Sequence, residues 1–148
     1  MNYKKIIFNK SRKVSLDEFI SKALYDKKNG YYMKKTPLGK KGDFITAPLI
    51  SNLFSEMIAV WCVSFWENIG QPKKINFVEL GPGDGSLCKT ILKTFKKFPK
   101  FNDCCEIFLY EISDKLKKIQ NKKLKNKKIK WLKNIKNNKN GPPIFFGN

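Results

Sequence analysis

The stretch Phe77-Val78-Glu79-Leu80-Gly81-Pro82-Gly83-Asp84-Gly85-Ser86 decides how this chain reads. Ile75, Phe77, Val78 and Leu80 form a short apolar run that stops at Gly81, the pattern of a buried strand. Three glycines follow at alternate positions. Directly behind them an amphipathic segment over 86–98 places Leu87, Ile91, Leu92 and Phe95 on one side and lysines on the other, the pattern of a helix. Glycine has no Cβ, so it takes positive φ and lets a ligand lie against the backbone. A helix N-terminus behind such a corner adds free N–H groups and partial positive charge. The spacing therefore predicts a strand–turn–helix corner that accepts a nucleotide or a carboxylate at the C-terminal edge of a sheet.

Two ligand classes compete for that corner. A dinucleotide fingerprint reads G-x-G-x-x-G, whereas the spacing here is G-x-G-x-G, with Ser86 where the third glycine would fall. Glu79, two residues before Gly81, suits a ligand carrying an ammonium group, as S-adenosylmethionine does. An acidic residue ending the second strand would hold ribose hydroxyls, and Glu111 stands there after Ile107 to Tyr110, 26 residues beyond Gly85. A carboxylate accepting from two hydroxyls selects a free ribose. The bland alternative is a tight strand–helix turn with no ligand.

Outward from the corner, the pattern alternates. A strand over 107–110 is followed by a helix over 114–124 capped by Ser113, a weak strand over 129–131 and a stronger one over 143–146. Strand–helix alternation implies βαβ units, a parallel sheet of about four strands and an α/β class. Upstream, Ser15-Leu16-Asp17-Glu18 reads as a capping box opening a helix over 16–28, with Asn29-Gly30 as its end. Residues 31–47 read as an ordered loop. A helix over 48–69 is apolar on more than one face, which predicts that it is well buried, and Gly70 and Pro72 close it. The change of pattern divides the chain into a helical extension, 1–72, and a sheet-forming part, 73–148.

The composition narrows the chemistry. With 148 residues, 41% hydrophobic and 14% aromatic, the chain can bury a core. It contains no histidine, so neither Ser-His-Asp nor Cys-His catalysis nor a histidine metal site is available within it. Cys62, Cys88, Cys104 and Cys105 form no CxxC; they read as buried free thiols, and no metal is expected. The net charge is +19, with Arg12 the single arginine, and Lys, Asn, Ile and Phe are all heavily used, a set that AT-rich codon usage produces. Residues 112–140 hold twelve lysines and one acid, Asp114. That segment could meet a phosphate backbone, but Trp131 is its one aromatic, so an RNA partner is the weaker alternative. No secretory signal and no apolar run near the roughly 20 residues of a membrane span is present, and the expected location is the cytoplasm.

A more specific likeness covers about Ser15 to Asn148. Gly30-Tyr31-Tyr32-Met33, Gly39-Lys40-Lys41-Gly42-Asp43-Phe44-Ile45-Thr46-Ala47-Pro48 and Ile50-Ser51, followed by Glu79 to Gly85 and then Glu111, resemble the signature of the MidA-like class I methyltransferases, which are related to the mitochondrial complex I assembly factor. The resemblance implies a Rossmann-like class I methyltransferase sheet behind an N-terminal helical extension, with S-adenosylmethionine as methyl donor. It implies a protein arginine as substrate, in a respiratory complex I subunit. By position, Glu79, Gly81, Pro82, Gly83, Asp84, Gly85, Glu111 and Ile112 would surround the cofactor. Asp43, Phe44 and Thr46 would close over cofactor or target, unless they serve only packing and helix capping, and Asn148 would begin the segment that grips the target. Family members run to more than twice this length, so the chain is expected to be an N-terminal fragment, weak or inactive alone. The alternatives are an RNA methyltransferase and an assembly factor that binds the cofactor without turnover.

Overall fold

The computed structural model describes residues 13–34, 50–125, 128–135 and 141–147. Its elements are α1 (Leu16–Tyr25), α2 (Tyr31–Lys34), α3 (Asn52–Asn68), β1 (Ile75–Leu80), α4 (Ser86–Phe95), α5 (Pro99–Cys104), β2 (Cys105–Tyr110), α6 (Asp114–Leu124), β3 (Ile129–Trp131) and β4 (Pro143–Gly147). The four strands form one sheet in the order β3-β2-β1-β4, and every neighbouring pair is parallel. This is the α/β architecture that the alternating pattern implied.

β1 lies between β2 and β4, pairing Phe77 with Ile107 and Ile144, and Leu80 with Tyr110 and Gly147. Residues Ile75 to Val78 are fully inaccessible, as a parallel strand covered on both faces requires. Phe77 meets Phe95 of α4 edge-to-face at 6.0 Å. Phe95 meets Phe101 of α5 at 4.7 Å, and Phe101 meets Trp66 of α3 at 5.6 Å. Each such ring pair adds roughly 0.5–1.5 kcal/mol beyond the area it buries, so this chain of rings locks three helices to the central strand.

Several boundaries differ from the sequence reading, each for a local reason. α1 ends at Tyr25, not near 28, because the Asp26 carboxylate accepts from the backbone N–H groups of Lys28 (3.0 Å) and Asn29 (2.7 Å) and turns the chain. Ser15 occupies the N-cap position, yet its hydroxyl makes no cap hydrogen bond. Gly30 is buried so tightly that a Cβ there would lie 2.5 Å from the Asp26 nitrogen. One helical turn, α2, stands at the start of the segment read as a loop. α3 begins at Asn52, capped by Ser51, whose hydroxyl accepts from the Leu53 N–H at 3.1 Å. α5 fills six residues that carried no helical period.

The expectation that α3 is buried all round does not hold. Ser55, Ala59, Cys62, Val63 and Trp66 face inward, while Leu53, Met57 and Trp61 stay exposed on the other side. Phe145 of the edge strand β4 is also exposed.

Candidate functional site

The glycine corner has the conformation that its spacing predicted. Gly81, Gly83 and Gly85 adopt φ of +66°, +55° and +79°, a region that other residues enter only with strain. The Gly81 N–H still donates to the Tyr110 carbonyl at 2.9 Å, so the corner starts from the last rung of the sheet. The Gly85 N–H donates back to the Pro82 carbonyl at 2.8 Å and closes the turn. Pro82 and Gly83 are buried, and Gly81 is exposed.

Asp84 is engaged within the protein. Its carboxylate accepts from the Ser86 N–H and hydroxyl, both at 2.9 Å, and pairs with Lys123 of α6 at 2.5 Å. Burial raises its pKa, but the hydrogen bonds from Lys123 and Ser86 and the Lys123 charge outweigh that and hold the carboxyl below its ordinary range. Asp84 thus ties the first residue of α4 to α6.

Glu111 is buried at the end of β2. Its Oε1 accepts from the Ile112 and Ser113 N–H groups, both at 2.9 Å, and its Oε2 accepts from Gln120 Nε2 at 3.1 Å. The same Gln120 nitrogen donates to the Gly83 carbonyl at 2.8 Å, while Gln120 Oε1 accepts from the Trp131 indole at 2.9 Å. Gln120 is fully buried. It therefore ties the glycine corner, the β2 carboxylate and β3 into one network. An ionised carboxylate offers about four acceptor positions. Three are used on Glu111 among the described residues, which leaves one for a ligand hydroxyl unless Gln120 moves.

Glu79 differs from Glu111. It shares a face of β1 with Ile75 and Phe77 by strand alternation, is only 4% exposed, and its Oε2 has no hydrogen-bond partner among the described residues. Burial, with a smaller contribution from the Asp84 charge, pushes its pKa up to about 8. Its carboxyl is mostly protonated at neutral pH. Burial, and then Glu79 itself, raises the Cys88 thiol well above its usual value. All four cysteines are free, and burial pushes Cys62 and Cys105 up to about 12, which leaves them unreactive.

A cavity of about 350 Å³ opens at the C-terminal edge of β1 and β2. Gly81, Gly83 and Glu111 line it, together with Leu80, Tyr110, Ile112 and, from the N-terminal helices, Tyr25 and Tyr32. Glu79 is not part of that wall. Asp43, Phe44, Thr46 and Asn148 lie outside the described residues. The sequence reading gave no site role to Gln120, Lys123 or Tyr25, and quoted Tyr32 only within the family signature. Gln120 had a usable signal: with Leu116 and Leu124 it marks an i, i+4, i+8 stripe along α6, so its amide had to face inward. In the basic segment, Lys117, Lys123 and Lys130 pair with Asp114, Asp84 and Glu106.

Residues 57–148 match the family model described as "Putative S-adenosyl-L-methionine-dependent methyltransferase". The chain belongs to this MidA-like methyltransferase family. It is 42% identical over 113 residues to the protein arginine methyltransferase NDUFAF7, mitochondrial, of Xenopus laevis, covering 75% of this chain and 26% of that one. It is 38% identical over 109 residues to the Homo sapiens protein of the same name, covering 72% of this chain and 25% of that one. The chain therefore spans about a quarter of the length of these relatives. Its fold matches that of a COG1565 superfamily member from Burkholderia thailandensis, solved with S-adenosyl-homocysteine, at a TM-score of 0.73 and 21% identity, over 89% of this chain and 36% of that one. These relatives overturn the cytoplasmic expectation: the Xenopus and human proteins are named as mitochondrial. The cytoplasmic reading rested on the lack of a secretory signal and of a long apolar run, neither of which separates cytoplasm from mitochondrion.

Proposed function

We propose that this chain forms an S-adenosylmethionine site serving methyl transfer to a protein arginine, with a mitochondrial respiratory complex I subunit as the substrate. The observation that carries the reading is that the left-handed glycine corner and the Glu111 carboxylate line one cavity and are held by one residue, Gln120. Those features suit the ligand. Gly81 can take a ligand against its backbone, since nothing lies within 4 Å of where a Cβ would stand. Glu111 keeps one acceptor position for a ribose hydroxyl. Glu79 lies outside the cavity lining, and its proposed pairing with the ligand's ammonium group is supported by its unpartnered oxygen among the described residues. The bound cofactor supplies a methyl on a sulfonium, and displacement there depends chiefly on placing the nucleophile in line. In this reading, residues 73–148 carry the cofactor and the helices of 1–72 cover it. The arginine substrate is supported by the names of the relatives, and the complex I subunit by the family resemblance.

Calorimetric titration of S-adenosylmethionine tests the site. Glu111→Gln, which keeps an acceptor for the two backbone N–H groups, is expected to weaken binding at least tenfold. Absence of binding by the folded wild-type chain, or equal binding by the variant, would reject the assignment. Radiolabelled methyl appearing as methylarginine after hydrolysis of a complex I preparation tests the substrate.

A further inference from the structure

We propose that Tyr25 and Tyr32, contributed by the N-terminal helices, form an aromatic wall that receives the purine base of the nucleoside in the cavity. The inference rests on the cofactor reading above and extends it to the specificity of the site. Tyr25 ends α1 and Tyr32 lies in α2, and the tight passage at Gly30 brings the two together. Their rings stack at 5.7 Å with an interplanar angle of 20°, and Tyr31 braces Tyr32 edge-on at 5.2 Å. Both tyrosines line the cavity that Gly81, Glu111 and Ile112 line from the sheet. Tyr25 is near enough to Glu111 that the carboxylate, after burial and Tyr32, helps to raise the phenol pKa.

The placement decides which part of a ligand the wall meets. Gly81 and Glu111 supply backbone and carboxylate contacts, which suit the polar parts of a nucleoside. The apolar and aromatic remainder of the cavity is Tyr25, Tyr32, Leu80, Tyr110, Ile112 and Leu116. A base held at Ile112 shares the cavity with the tyrosine pair. Tyr25 is 41% exposed and Ile112 48% exposed, so both present large apolar surface that a flat ring would cover. Base–aromatic stacking needs only a π-face, and its usual strength corresponds to about tenfold or more in affinity per base.

The test is titration of S-adenosylhomocysteine into the wild-type chain and the Tyr25→Leu, Tyr32→Leu, Tyr25→Phe and Tyr32→Phe variants, with nuclear Overhauser contacts from the adenine protons. Each leucine variant is expected to lose about tenfold in affinity and each phenylalanine variant to keep it. The adenine H2 and H8 are expected to contact tyrosine ring protons whose signals vanish in the Tyr→Phe variants. Wild-type binding with unchanged leucine variants, or adenine contacts confined to other residues, would overturn this inference and leave the cofactor reading standing. A folded wild-type chain that fails to bind S-adenosylhomocysteine would overturn both.

Discussion

Gln120 donates its side-chain amide to Glu111 across 3.1 Å from the buried face of α6. The pair matters because the same nitrogen also holds the Gly83 carbonyl, and the amide oxygen holds the Trp131 indole. Gln120→Leu leaves those groups unpartnered in the interior. It is expected to cost about 2–3 kcal/mol in urea unfolding, more than a surface substitution such as Lys118→Ala.

The corner glycines should respond differently to one added methyl. At Gly81 a Cβ meets nothing within 4 Å, so Gly81→Ala should cost only the backbone strain of its positive φ, about 1–2 kcal/mol. Its methyl would stand in the cavity, so cofactor affinity should fall by more than stability does. At Gly85 a Cβ would lie 3.3 Å from Leu124 Cδ1, adding crowding to the same strain. Gly85→Ala should therefore unfold at lower urea than Gly81→Ala.

Glu79 sets the alkaline side of the stability profile. Its folded pKa, about 8, lies above the unfolded value of 4.5, so the folded chain binds the extra proton. Stability must fall as pH rises between those values and on through 8. Glu79→Gln removes the titration. Urea midpoints at pH 5 and pH 9 should converge in the variant, and at pH 9 it should exceed the wild type by about 1 kcal/mol or more.

Asp84 acts in the opposite sense. Its folded pKa is depressed, so its contribution is present above the unfolded value of 3.8 and is lost as pH falls through the folded value. The pair with Lys123 is partly solvated, so Asp84→Asn should cost no more than about 1 kcal/mol at pH 7. The difference between variant and wild type should shrink in acid unfolding as pH falls below 3.8 and through the folded value.

The parts legible in the sequence are those that local rules determine. β1 announced itself by its apolar run, the corner by three glycines at alternate positions, and Glu111 by the strand that ends before it. What escaped was set by distance in the fold. α5 is six residues long, too short to show a period, and its position depends on Phe101 reaching Phe95 and Trp66. The pairing of Asp84 with Lys123, 39 positions later, had no local signal. Tyr25 and Tyr32 reach the cavity only because two short helices place them at the sheet edge. In α3, apolar residues on all sides suggested burial, but hydrophobicity records what a helix could cover and not whether anything lies against it.

Trp131 carries a consequence of its own. Its indole N–H ends the network that starts at Glu111, whereas Trp66 is bonded to the Pro72 carbonyl and Trp61 lies exposed on α3. A ligand hydroxyl that takes the remaining acceptor position of Glu111 would sit next to Gln120, whose other end holds the indole. Two hydrogen bonds thus connect the Trp131 indole to a carboxylate that lines the cavity. With Trp61 and Trp66 replaced by phenylalanine, the emission colour of one remaining ring would report, without any added dye, whether the site is filled.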